Sequence, residues 1–360
     1  VVHHEFGHAV VDGTSELGFF VIDGMGVSYD PGAINEGYAD YVAATVSGDP
    51  DMAEYLRGSG LGGEAALRNL DNTLVCPDDL VGEGHFDGRI FSGAAWDLRN
   101  AIGVEKADAL LYSTIVAIDS VPTLAEATET LLAAADALVT DGTLDASDRE
   151  MVQSVMEARG LVGCERVAPL DGAVTRLGYS GDASVTANAG GGIAPIHYRI
   201  DIPADAERLN INVTTLTAGA ADYTLYYRTD GPVRFVASRR PPVLSQGTLR
   251  PGEAMTRGGD PALPRCQTLY VALVTDNLRD IQASLFEVTA NLVRSGMDES
   301  CDEPDAGPMT EPDAGVAADA GPAMMMGADP GCGCRVRPTS GGGAWLVLLG
   351  LVALRIRARR

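Results

Sequence analysis

Positive charge is scarce in this chain. Lys and Arg number 26 against 50 Asp and Glu, so its 360 residues carry a formal net charge of −24 at pH 7. No basic stripe is available to neutralise a phosphate backbone, which excludes nucleic acid as a partner, and the acidity is read as keeping an exposed protein in solution. Long apolar runs are missing too. The most apolar stretch, residues 344–354, is shorter than the roughly 20 residues a spanning helix needs. Histidine is also rare, with five in the chain. That is few enough for an H-E-x-x-H spacing to arise by chance on the order of once in a hundred such chains. Neither an initiating Met nor a signal peptide opens the sequence, so coding sequence is expected to precede residue 1. Cysteines number six, which fits an exported protein.

Against this background the opening VVHHEFGHAV carries a signal. His4 and His8 are four residues apart, with Glu5 between them. At 3.6 residues per turn the two imidazoles share one helix face and can chelate one metal ion. Catalytic zinc usually takes three protein ligands and leaves its fourth position to water, and two histidines plus a glutamate form one such set. The stretch GAINEGYADYVAATV predicts a helix from about Ala33, because Ile34, Tyr38, Tyr41 and Val42 recur at helical spacing behind the loop-forming Asp30-Pro31-Gly32. Glu36 is the candidate third ligand on that helix. Asp40, one turn on, is placed to accept a hydrogen bond from a ligating imidazole and fix its tautomer.

HEFGH followed by GAINEGYAD resembles the thermolysin and fungalysin group of zinc metallopeptidases. The resemblance implies that His4, His8 and Glu36 bind Zn2+, that Glu5 is the general base, that Asp40 pairs with His4, and that Asn35 supports His8. Further along, GEGHFDGRIFSGAAWDLRNAIG resembles the fungalysin-like H-x-x-G run with its apolar helix and W-D-L. That likeness implies that His85 donates a hydrogen bond to the oxyanion of the tetrahedral intermediate. Tyr29, in SYDPGAINE, is a second candidate donor by the same resemblance. The implied activity is hydrolysis of polypeptides by a zinc-activated water. Glu5 takes the proton and passes it to the leaving amine, and each oxyanion donor is typically worth about 3 kcal/mol.

The expected fold class is multidomain: a mostly α-helical zincin C-terminal lobe, then an antiparallel β-sandwich, a disordered linker and a C-terminal hydrophobic tag. Residues 1–165 read as the helical lobe, with apolar residues at three- and four-residue spacing in segments such as VEKADALLYSTIVAI and TLAEATETLLAAADALV. Peptidases of the resembling group carry a β-rich lobe ahead of this one, so the N-terminal part of the fold is expected upstream and the present chain is expected to be weakly active or inactive alone. Residues 170–294 switch to strand patterning in PIHYRIDI, RLNINVTTL, YTLYYRT and TLYVALVT. This region resembles the bacterial pre-peptidase C-terminal domain. That family's acidic strand motif is reduced here to Ala221-Asp222-Tyr223, so calcium has no support in the sequence. His197 is read as an ordinary surface or sheet residue.

Residues 295–331, rich in Pro, Gly, Ala and acid, bury too little surface to order and read as a linker. Residues 332–360 place Cys332 and Cys334 before the short apolar run and a terminal arginine cluster. This arrangement resembles the myxobacterial C-terminal sorting tag and implies engagement of a membrane or sorting machinery, hence a secreted or cell-surface protein. Cys76 and Cys164, and Cys266 and Cys301, make two local disulfides plausible, with connectivity left open. Nothing in the sequence speaks to oligomeric state.

The function read from these features is a secreted or surface-attached zinc metalloendopeptidase. The alternative is a surface binding module with a catalytically incomplete lobe, which has no need of a general base; the retained Glu5 argues against it. A zinc aminopeptidase ranks last, since no motif for gripping an α-amine is recognisable.

Overall fold

The computed structural model describes residues 1–56, 66–172, 174–180, 192–217, 222–236, 243–275, 284–297 and 300–301. Helix α1 spans Val2–Asp12 and is followed by a hairpin of β1 (Val21–Asp23) and β2 (Gly26–Ser28). Helix α2 runs Asp30–Ser47. It starts at Asp30 rather than near Ala33 because Pro31 falls in the first turn, where a missing N–H leaves no bond unmade. Gly48 stops it in the left-handed region at φ 71. A second small hairpin pairs β3 (Asp51–Met52) with β4 (Arg68–Asn69).

Four helices follow: α3 (Gly84–Ile102), α4 (Val104–Ala117), α5 (Leu124–Asp141) and α6 (Ala146–Ala158). Reciprocal capping boxes, Thr123 with Glu126 and Asp145 with Asp148, define the starts of α5 and α6.

The remaining strands are β5 (Val167–Pro169), β6 (Thr175–Ser180), β7 (His197–Ile202), β8 (Ala206–Thr215), β9 (Tyr223–Arg228), β10 (Arg234–Phe235), β11 (Val243–Leu244), β12 (Gly247–Leu249), β13 (Ala254–Thr256), β14 (Gln267–Thr275) and β15 (Ser284–Arg294). They form a five-stranded sheet of order β12-β9-β14-β7-β5 and a four-stranded sheet of order β13-β8-β15-β6.

The expectation of a mostly α-helical lobe followed by an antiparallel β-sandwich is therefore corrected. Among the described residues there are six helices and fifteen strands in several sheets, 37% helix and 28% strand. Two causes account for the miss. Strands of two or three residues, such as β1 to β4, are too short to express a period of two, so they vanish inside a region read as helical. In addition, β5 pairs with β7 in parallel, so the larger sheet is mixed.

Packing does not stop where the pattern turns from helix to strand. One buried cluster contains Val11, Ile34 and Leu98 from the helices together with Tyr198, Leu269 and Phe286 from both larger sheets. A second joins Val27, Tyr29 and Val81 to Tyr179, Leu216 and Leu285. Arg166, almost fully buried, ties the β1–β2 hairpin to the sheet by donating to the Val27 carbonyl at 3.0 Å, the Pro195 carbonyl at 2.9 Å and Asp23 Oδ2 at 2.5 Å.

Disulfides link Cys76 to Cys164 and Cys266 to Cys301. Such bonds fit an oxidising, extracytoplasmic setting. Among the described residues no helix is long and apolar enough to cross a membrane. The expected linker, except residues 295–297 and 300–301, and the whole expected tag with Cys332 and Cys334 lie outside the described residues, as does Ala221.

Candidate metal centre

Close approach of three helices builds the site. Gly7 sits on the face of α1 that meets α2, and a Cβ there would stand 2.6 Å from Ala39 Cα. Only glycine admits that contact, which brings His4 and His8, on either side of Gly7, against Glu36 and Asp40. Helices α2 and α3 touch in the same way, since a Cβ on Gly37 would stand 2.6 Å from the Gly88 carbonyl oxygen. This second contact carries His85, in the first turn of α3 rather than ahead of it, to Glu36.

The ligand atoms converge. His4, His8 and Glu36 form a His/Glu group whose atoms all lie within 4.8 Å of one another, and no other group of three or more potential ligands is found among the described residues. His4 Nε2 and His8 Nε2 are 3.0 Å apart, His4 Nε2 is 3.4 Å from Glu36 Oε2, and His8 Nε2 is 3.7 Å from Glu36 Oε1. The far side of each ring faces an acceptor. His8 Nδ1 lies 2.7 Å from Asn35 Oδ1, and His4 Nδ1 lies 2.8 Å from Asp40 Oδ1. Asp40 is held in turn by a two-pronged contact, Arg68 Nε donating to Oδ2 at 2.7 Å and Arg68 Nη2 to Oδ1 at 2.6 Å.

His85 donates from both nitrogens, Nδ1 to Glu83 Oε1 at 2.9 Å and Nε2 to Glu36 Oε1 at 3.1 Å. Glu83 also caps α3, its Oε2 accepting the Phe86 N–H.

Electrostatics follow this wiring. Burial pulls the His85 pKa down, yet the Glu36 and Glu83 carboxylates outweigh it and lift the value to about 10. Burial likewise lowers His4, and Asp40 and Glu36 reverse that to a net rise. Glu36 is pushed up by burial, but its bonds to His4 and His85 hold it far below the usual carboxylate range. Asp40 is fully buried and still held low, chiefly by Arg68 and His4.

His4, His8, Glu36, Asp40, Asn35 and His85 thus come together. Glu5 is exposed on α1 beside His4, with no partner for its carboxylate among the described residues. Tyr29 behaves differently. Its ring packs against Phe19 at 5.7 Å, Phe20 at 6.4 Å and Tyr179 at 5.7 Å, within a buried apolar cluster at the start of α2. His197 is a sheet residue on β7 and wholly buried.

Sequence reasoning passed over Arg68 and Glu83. Arg68 lies in LRNLDN, which has no periodicity to announce it. Glu83 carried a readable signal, an acid two residues before a histidine at a helix start, the pattern of an N-cap. Compared with family models and with curated proteins, the sequence matches none.

Proposed function

We propose that the chain is a zinc metalloendopeptidase acting on polypeptides, exported and held at the cell surface or released from it. One observation carries the metal. His4 and His8 bring their Nε2 atoms within 3.0 Å of each other, close enough for both to bind one ion, while their Nδ1 atoms face Asp40 and Asn35. Glu36 Oε2 is buried beside them, 3.4 Å from His4 Nε2. A divalent cation would suit such a group, and imidazole with carboxylate suits zinc. His4, His8 and Glu36 would hold it, with Asn35 and the Asp40–Arg68 pair fixing ring orientation.

Zinc bound there supplies Lewis acidity, polarising a scissile carbonyl and making water acidic near neutral pH. Glu5 follows His4 directly and has a free carboxylate, so it accepts the proton of the attacking water and returns it to the departing amine. His85 carries a hydrogen on each nitrogen, Nδ1 anchored by Glu83. With Glu36 holding the metal, the Nε2–H that now faces Glu36 would donate to the carbonyl oxygen as negative charge develops there. The Tyr29 ring packs among Phe19, Phe20 and Tyr179, apart from the contacts that join His4, His8, Glu36 and His85.

Metal analysis of the purified chain tests the proposal, with Glu36→Gln as comparison. We expect one zinc per wild-type chain and a clear loss in the variant, together with chelator-sensitive cleavage of casein by the full-length protein. Equal zinc content in the two proteins overturns the ligand set. Zinc binding without cleavage of any peptide tried would favour a binding module instead.

A further inference from the structure

The charged groups around the candidate centre are nearly all matched. Arg68 is committed to Asp40, and His85 to Glu36 and Glu83. Apart from the exposed Glu5, Arg89 is the exception among the described residues of this cluster. It lies one turn beyond His85 on the same side of α3, and the intervening Gly88 is so close to α2 that a Cβ there would stand 3.2 Å from Glu36 Cβ. Its backbone is fixed, the carbonyl accepting a hydrogen bond from Asn72 Nδ2 at 3.2 Å. Its side chain is not: Nε is buried without a hydrogen-bond partner, and no carboxylate of the described residues forms an ion pair with the guanidinium. Burial and the neighbouring Arg68 both lower its pKa, against weaker pulls from Asp79 and Asp40.

A guanidinium cannot shed its proton in a protein, so an unmatched one in a partly buried place is a standing cost that a neutral side chain of similar size would remove. Such a cost is explained where a ligand supplies the missing anion. The fork of an arginine fits a carboxylate two-prong to two-prong.

We propose that Arg89 forms a carboxylate-binding subsite beside the metal centre. The inference rests on the metallopeptidase reading, because the group bound would belong to the peptide on which the centre acts. A carboxylate reaches the subsite from one of two sources, an acidic side chain near the scissile bond or the free C-terminus of the peptide.

Equilibrium calorimetry on the full chain, freed of metal with EDTA, distinguishes them. The probes are an acetylated and amidated alanine pentapeptide with Glu at its centre, its Gln twin, and the all-alanine pentapeptide as free acid and as amide. In wild type one charged probe is expected to bind about tenfold tighter than its neutral twin, and the pair that shows the gain identifies the source. In Arg89→Met the ratio is expected near one, and in Arg89→Lys it returns in part. Since Arg89→Met removes an unmatched charge, its thermal midpoint should equal or exceed that of wild type, so a lost preference is not a lost fold. Ratios near one for both pairs in wild type, or a ratio unchanged in Arg89→Met, overturn the subsite. Because binding is read without metal, a wild-type chain that takes up no zinc overturns the metallopeptidase reading separately.

Discussion

Glu5 and His4 are neighbours on α1, and on the proposed function they do different work, so a change at Glu5 alone separates the two roles. Glu5→Gln removes the proton acceptor and leaves all three proposed ligands in place. Zinc content is expected to match wild type, while peptide cleavage falls by about 10²- to 10⁴-fold. Cleavage at the wild-type rate would refute the general-base role. A second residue-scale consequence lies at His197, wholly buried with neither ring nitrogen in a normal hydrogen bond. Burial, aided by the Arg166 charge, lowers its pKa to about 3, against a small opposing pull from the Met25 backbone. The unfolded chain takes a proton at His197 near pH 6.5 and the folded chain refuses it until about 3. Its contribution to stability is therefore whole above pH 6.5 and is lost progressively as pH falls toward 3. His197→Met should narrow the gap between thermal midpoints at pH 7.5 and pH 5.0; an unchanged gap would remove His197 as a cause of acid sensitivity.

At the scale of elements, the pairing of His4 with His8 was legible because helical geometry turns a spacing of four into a shared face, and the NEGYAD acids follow the same rule. The partners from other elements were not. Arg68 reaches Asp40 from β4, a strand of two residues whose position depends on a hairpin that no periodicity marks. His85 was legible as a residue but not in its wiring, since its contact with Glu36 depends on the Gly37–Gly88 crossing of α2 and α3. The α1–α2 crossing makes a sharper test. Gly7→Ala places a methyl 2.6 Å from Ala39 Cα, so α1 must move away from α2. We expect a loss of about 1–3 kcal/mol in stability and a fall in zinc affinity, read by thermal melts and competition with a chelator. Gly24→Ala, with nothing within 4 Å, is the control. Matching zinc affinity in Gly7→Ala and Gly24→Ala would show that the crossing does not set the ligand geometry.

For the whole molecule, the strand-patterned half was legible as strand-rich, with β7, β8, β9 and β14 near the quoted segments. Its dependence on the helical half was not, because the apolar cluster of Val27, Tyr29 and Val81 with Tyr179, Leu216 and Leu285 joins residues far apart in sequence. Arg166 adds a buried tie across the same seam. A chain cut back to residues 1–165 would uncover that cluster. We expect it to lose a cooperative melt by circular dichroism and to hold no zinc; a sharp melt with zinc retained would mark the helical half as independent. The Cys76–Cys164 disulfide acts on the same scale in a different currency. It makes a covalent ring of the 88-residue separation that contains α3 to α6. A single nick anywhere in that ring opens a loop without releasing either end. The nicked molecule would run as one band on a non-reducing gel and as two after reduction, so damage that severs the chain need not sever His85 from the helices that hold His4, His8 and Glu36.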